Sequence, residues 1–277
     1  MKSRGIGVLA ILVALIASGG RLRLSAQSSG GTEYPYALKP AEEMAWIGGE
    51  LALYGASLYL DRTKDSGDPS SLEASEVPVF DRLYTTSHSA ALGAAADCLV
   101  VGLAAAAPAA ALPGMDRSQA LSTGLMLAET LGLAYSLDSA IKSVVTRYRP
   151  YAYSSPPPAD IGSQDIASSF PSRHATLAFA AAAFAGSVFD STHPDSRYRG
   201  LVWGGGMGLA AAIGALRVAS GDHFLSDVAA GAALGSLVGL CVPYLHRAGA
   251  SSGGSGTDKA AASLCASATG LIVTLRY

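Results

Sequence analysis

Residues 174–189 read HATLAFAAAAFAGSVF, a stretch dominated by small apolar side chains. Two similar runs follow, GLVWGGGMGLAAAIGALR at 200–217 and FLSDVAAGAALGSLVGLCVPYL at 224–245. Alanine and glycine at this density allow helix backbones to approach closely, as they do in membrane bundles. These three runs therefore predict three tightly packed helices.

Three further apolar runs lie earlier in the chain, at 44–60, 88–112 and 118–146, and Pro113-Gly114 ends the second of them. No internal repeat and no alternating pattern of a sheet core is present. Half of the chain is apolar and only 14% is charged, which is typical of a membrane protein or a tightly packed bundle. The prediction is an all-α protein, a six-helix bundle whose helices cross a membrane.

Charge and cysteine usage exclude several classes of function. The net charge of -2 leaves no basic field, so no nucleic-acid partner is expected. The three cysteines match no metal or redox spacing, so buried or idle thiols are expected. The sequence gives no indication of oligomeric state.

The ends of the chain differ from its apolar middle. Residues 1–26 have the pattern of a signal peptide or an N-terminal anchor, with Lys2 and Arg4 before an apolar stretch. A polar linker over 27–43 leads into the predicted domain, 44–247. Residues 248–277 are predicted to form a Ser/Gly linker and one short strand.

Two stretches place polar side chains at predicted helix ends. Lys142 and Arg149 are seven residues apart, which puts them on nearly one helix face, and Pro150 disfavours helix at Arg149. Ser172 is a plausible N-cap with His174 in the following first turn, where free N–H groups suit an anion. Each stretch taken alone is also compatible with an ordinary helix terminus.

The third stretch is the most informative. Arg217 closes one helix, His223 opens the next, and Asp227 lies one turn on. A carboxylate at this spacing can accept a hydrogen bond from one ring nitrogen and leave the other free as a nucleophile. A satisfied His–Asp pair at a helix end is the plainer alternative, and zinc lacks third and fourth ligands at suitable spacing. The other histidines, His88, His193 and His246, have no such companions and are expected in loops or at the surface.

Together the three stretches supply what phosphoryl transfer needs. Fixed cations and N–H groups can hold the charged equatorial oxygens, and two histidines can act as nucleophile and acid. The pattern Lys142-x6-Arg149-Pro150, Pro171-Ser172-x-His174 and Arg217-x5-His223-x3-Asp227 resembles the type 2 phosphatidic acid phosphatase (PAP2) superfamily. That superfamily includes lipid phosphate phosphatases, class A acid phosphatases and vanadium-dependent haloperoxidases, and the resemblance covers about 44–247.

The resemblance implies a role for each motif residue. His223 would attack phosphorus to form a phosphohistidine, Asp227 would orient it, and His174 would protonate the leaving group and later activate water. Arg173 stands where the family usually has Gly, and Leu216 where it usually has Ser. No metal and no cofactor are implied, and the residues that would hold phosphoryl oxygens are Lys142, Arg149, Ser172, Arg173 and Arg217.

The expected function is a metal-independent phosphatase that acts on a lipid phosphate or diphosphate monoester, such as a phospholipid or an isoprenyl phosphate. The alternatives are a soluble exported acid phosphatase, a vanadate-dependent haloperoxidase and a helical membrane scaffold without activity. The expected location is the bacterial cell envelope, with the active site facing the periplasm. If the signal is cleaved and all six helices span, the motif loops face the cytoplasm instead.

Overall fold

The computed structural model describes residues 34–64, 72–73, 75, 77–82, 88–153 and 166–248. Within these ranges the chain is all-helical, with six α-helices and one short 3-10 helix, Pro150–Tyr153. The predicted signal or anchor and the predicted C-terminal strand lie outside the described residues. The six helices are α1 Pro40–Arg62, α2 Ala90–Ala106, α3 Arg117–Val144, α4 Arg173–Thr192, α5 Arg199–Ala219 and α6 Leu225–Leu245.

All six predicted helices are present, and the prediction of an all-α bundle is confirmed. The first helix begins at Pro40, inside the segment predicted as linker, because proline is favoured in the first turn of a helix. Helix α3 ends at Val144, earlier than predicted. Beyond it the backbone pairs with another loop: Arg149 N–H donates to Ile166 at 2.9 Å, and Ser169 N–H to Arg147 at 2.9 Å.

The helices run alternately up and down. Lys64, just after α1, donates to the carbonyl of Lys142 near the end of α3 at 2.8 Å. The N–H of Ser89, before α2, donates to Ser220 after α5 at 2.9 Å, and that of Ser172, before α4, to Asp227 in α6 at 3.0 Å. We call this the motif end of the bundle, and the opposite end, where α6 finishes, the far end.

Helices α4 and α6 form the centre and lie in parallel contact. The contact depends on glycine, because a Cβ at Gly235 would lie 2.0 Å from the carbonyl oxygen of Thr176. A Cβ at Gly239 would lie 2.4 Å from that of Ala180. The neighbouring face of α4 is a row of fully buried alanines around Phe184. Close backbone approach therefore replaces large side chains in this core, as the sequence predicted.

Among the described residues, three helices, α4, α5 and α6, are long and apolar enough to cross a membrane, judged by length and composition. Helix α5 is the clearest of them, because only 28% of its most apolar stretch of 18 residues is buried inside the protein. Large apolar side chains are also exposed on other helices, including Leu51 at 66% and Val101 at 68%. Apolar surface on this scale indicates contact with lipid or with a partner.

The cysteines differ from the expectation of idle thiols in one case. Cys98 is free, as expected, but its side chain is exposed. Cys241, near the end of α6, is disulfide-bonded, so the expectation is wrong for this residue.

Candidate active site

The three motif stretches meet around one cavity of about 710 Å³ at the motif end. Every α-helix contributes to the wall directly or through the loop beside it, including Tyr54 from α1 and Asp97 from α2. Both motif histidines face the same space. The motif residues that line it are Lys142, Arg149, Arg173, His174, Arg217 and His223.

His223 is held in one orientation by a backbone carbonyl. Its Nδ1 atom lies 2.8 Å from the carbonyl oxygen of Ser169, an acceptor only, so Nδ1 carries the proton. The other nitrogen, Nε2, then has a free lone pair and lies 3.4 Å from Nη1 of Arg149. A fixed tautomer with Nε2 toward the cavity is the geometry of a nitrogen nucleophile.

Burial lowers the pKa of His223 well below its usual value, and the cations of Arg149 and Lys142 lower it further. Only 2% of this residue is exposed. The charged imidazolium is costly in such a place, so the ring stays neutral at neutral pH. A neutral ring is the form that can attack phosphorus.

Asp227 acts differently from the expectation of a direct hydrogen bond to the ring. Its Oδ2 lies 3.8 Å from Nδ1 of His223. Instead, Oδ2 accepts from the Ser169 hydroxyl at 2.6 Å and from the N–H of Phe224 at 2.9 Å. The carboxylate thus holds both neighbours of the imidazole in place. One is Ser169, whose carbonyl accepts from the ring, and the other is Phe224, which follows His223 in the chain.

Two residues that the motifs did not include complete this support. Arg147 places Nη1 2.5 Å from Oδ1 of Asp227 and Nη2 2.7 Å from Oδ2 of Asp81. Asp81 also accepts from the Ser226 hydroxyl at 2.6 Å. Asp81 and Asp227 are fully buried, so Arg147 compensates two carboxylates. The sequence pointed to Arg147 only through its position two residues before Arg149. Asp81 could not be singled out, because it lies in a charged loop among several similar residues.

His174 has a carboxylate partner of its own. Its Nε2 lies 2.6 Å from Oδ1 of Asp97, and Nη1 of Arg217 lies 3.5 Å from the same oxygen. Asp97 interrupts an otherwise apolar helix, which was the one signal that could have identified it. The pair places an ionisable nitrogen on the cavity wall that can give and take a proton.

The three predicted cations converge from different elements. Nη1 of Arg149 contacts the carbonyl of Asp222 at 3.3 Å, and Nη2 of Arg217 contacts the carboxylate of Asp222 at 3.0 Å. Lys142 donates through Nζ to the carbonyls of Ser168, at 3.1 Å, and Pro171. All three cations are at least nine-tenths buried, so their fields act strongly on any anion in the cavity.

Arg173 lines the cavity beside Tyr135. Its Nε donates to the fully buried Asp138 at 2.9 Å, and its guanidinium lies 4.3 Å above the Tyr135 ring centre. Its role as a phosphate ligand stays a prediction, because its strongest contact is to Asp138.

Ser172 is the N-cap of α4, as predicted, but its side chain makes no capping hydrogen bond. It is fully buried, and its hydroxyl has no hydrogen-bond partner among the described residues. Unlike the cations, it is absent from the described residues that line the cavity. Its contact with phosphate stays a prediction.

The family model described as the PAP2 superfamily matches residues 123–249, which contain all three motifs. A crystal structure described as that of the first transmembrane PAP2-type phosphatidylglycerolphosphate phosphatase, from Bacillus subtilis, is 20% identical with a TM-score of 0.45. That match covers 71% of this chain and 94% of the other. No curated protein matches the chain significantly. The match to the PAP2 superfamily model thus covers residues 123–249, the part of the chain that carries all three motifs.

Proposed function

We propose that this protein is a metal-independent phosphatase that hydrolyses a lipid phosphate or diphosphate monoester through a phosphohistidine. The observation that carries the proposal is the single cavity in which Nε2 of His223 faces the guanidinium of Arg149. The match of residues 123–249 to the PAP2 superfamily model supports phosphatase chemistry. A lipid as the substrate is supported by the apolar surface of the helices around this cavity.

The proposed reaction has two steps. In the first, Nε2 of His223 forms a bond to phosphorus while the ester P–O bond breaks, and His174 gives its proton to the departing alkoxide. In the second, His174 takes a proton from water, the water oxygen bonds to phosphorus, and the P–N bond breaks. Arg149, Arg217 and Lys142 stabilise the charge on the equatorial oxygens throughout.

An assay panel tests the proposal. Protein purified in detergent is offered lipid phosphates, an isoprenyl diphosphate and water-soluble esters, and phosphate release is measured. We expect faster turnover of the lipid substrates, and loss of about 1,000-fold or more in His223→Ala. His193→Ala is the matched control, because that histidine lies at the far end, where it contacts Pro113.

The same panel separates the alternatives. Preference for water-soluble esters, with release of the protein from membranes by a carbonate wash, would indicate a soluble acid phosphatase. Peroxide- and halide-dependent activity that requires vanadate would indicate a haloperoxidase, whereas vanadate inhibits a phosphatase. If no ester releases phosphate, the result would indicate a helical membrane scaffold without activity. Rapid quenching with labelled substrate should trap an acid-labile, alkali-stable phosphoryl group that is absent from His223→Ala.

We further propose an integral membrane protein of the cell envelope with the cavity facing the periplasm. The alternative places the cavity in the cytoplasm. If the signal is cleaved and all six helices span, the motif end faces the cytoplasm, and the disulfide of Cys241 near the far end then lies on the oxidising side of the membrane. Cysteine labelling decides the matter in a Cys98→Ser background. An impermeant maleimide should label Phe80→Cys, at the motif end, in intact cells, and label Asp195→Cys, at the far end, only after permeabilisation. The reverse pattern would place the cavity in the cytoplasm.

A further inference from the structure

A second cluster of ionisable side chains lies at the far end of the bundle. Glu43 from α1, Glu129 from α3 and His246, directly after α6, each offer one ligand atom, and these atoms lie within 4.8 Å of one another. All three residues are at least nine-tenths buried. The expectation that His246 is a surface or loop residue without companions is therefore wrong. Its companions are far away in sequence, where spacing rules cannot find them.

The imidazole of His246 is oriented as a metal ligand would be. Its Nδ1 lies 2.7 Å from the carbonyl oxygen of Val242, so this nitrogen carries the proton in the neutral ring. A carbonyl acceptor on the second nitrogen is the usual partner of a metal-binding histidine. The lone pair of Nε2 then points to Oε2 of Glu43, at 3.1 Å, and Oε2 of Glu129, at 3.2 Å.

These separations match a coordination shell. Ligands about 2.0 Å from a tetrahedral zinc ion lie about 3.3 Å from one another. The two distances from Nε2 are close to that value, whereas a single N–H on Nε2 could bond well to only one of the two carboxylates. Neither oxygen of Glu129 receives a hydrogen bond from the described residues, although only 3% of that residue is exposed.

The charges also favour a cation. Two ionised carboxylates around a neutral imidazole carry two negative charges, and one imidazolium would balance only one of them, so without a metal ion one carboxyl group must hold a proton. A third carboxylate, Glu50, is 8% exposed and packs against Gly132, one turn beyond Glu129. Its Oε1 likewise has no hydrogen-bond partner in the described part of the chain.

We propose that Glu43, Glu129 and His246 bind one divalent transition-metal ion, of the zinc class, with water as the fourth ligand. One imidazole nitrogen and two carboxylate oxygens form a donor set that suits zinc. The ion ties α1, α3 and the end of α6 together. The role is structural, because Glu129 and Lys142 lie about 20 Å apart along α3. The site is thus separate from the cavity and independent of the proposed activity.

Metal content and stability test this site. The full chain, purified in detergent without a histidine tag, is stripped with chelator and dialysed against Zn²⁺. We expect one zinc per chain by elemental analysis and a rise of several degrees in the thermal midpoint. Glu129→Gln and His246→Gln should each retain less than a tenth of the zinc and lose the thermal response. His193→Gln, at the same end of the bundle, should behave as wild type.

The outcomes are decisive in both directions. Wild-type protein without stoichiometric zinc would overturn the proposal and leave an imidazolium–carboxylate triad. Equal zinc in Glu129→Gln and wild type would overturn it as well. A Co²⁺ titration of the wild type gives a readout that needs no variant: an intense visible d–d band supports a tetrahedral site, and its absence refutes one. None of these measurements depends on phosphatase activity.

Discussion

The carboxylate of Asp227 lies 3.8 Å from Nδ1 of His223, while the carbonyl oxygen of Ser169 lies 2.8 Å from the same nitrogen. Asp227 therefore positions the imidazole through the backbone around it. One carboxylate oxygen, Oδ2, accepts a hydrogen bond from the Ser169 hydroxyl on one side of the ring and from the Phe224 N–H on the other.

Replacing Asp227 with Asn should lower kcat about 100-fold with little change in KM, because it displaces the nucleophile without touching the cavity wall. The loss of its charge opposite Arg147 should also lower stability by about 1–3 kcal/mol. Steady-state kinetics and thermal unfolding in detergent measure both effects. Ser169→Ala is the control: it removes one hydrogen bond and keeps the carbonyl. An equal loss of kcat in both variants would contradict this role for the carboxylate.

Replacing Asp97 with Asn should weaken proton donation by His174, whose Nε2 it contacts at 2.6 Å. We expect about a 10-fold fall in kcat for an alkyl phosphate, whose leaving group needs a proton. Nitrophenyl phosphate should be affected less, because nitrophenolate leaves without one. His174→Gln should show the same pattern more strongly. Equal slowing of both substrates by Asp97→Asn would argue against a role in proton transfer.

The acidic limb of kcat/KM should lie below pH 6.5. Burial first, and then Arg149, lower the pKa of His223, so the neutral, attacking ring persists as the pH falls below the usual histidine value. Arg149→Gln should move this limb to higher pH, whereas Arg149→Lys, which keeps the charge, should not. Ionisation of the substrate is common to all three enzymes, so the difference between them isolates the enzyme group. Identical limbs in all three would refute the assignment.

Replacing Gly235 with Ala should destabilise the bundle by about 3 kcal/mol, since the new methyl group would lie 2.0 Å from the carbonyl of Thr176. Gly204→Ala is the matched control, because nothing lies within 4 Å of that position. It should keep or slightly raise the stability, as alanine favours helix. Thermal unfolding in detergent compares the two. A tolerated Gly235→Ala would mean that α4 and α6 can separate without cost.

Much of the fold could be predicted from local pattern. Apolar runs of helical length determined the six helices, and alanine and glycine within them determined the close contact of α4 and α6. Helix ends were less predictable. Helix α3 stops at Val144 because residues 147–149 pair with residues 166–169, a contact that no local signal contains.

By itself, the sequence determined which side chains are candidates for phosphate chemistry, because cations and imidazoles at helix ends are costly among apolar runs unless they are used. Only the tertiary structure decided their partners: the Ser169 carbonyl for His223, Asp97 for His174, Arg147 for Asp227 and two glutamates for His246. The physical reason is that hydrogen bonds and ion pairs act over about 3 Å of space, whatever the separation along the chain. Partners that packing brings together therefore cannot be recognised from their separation along the sequence.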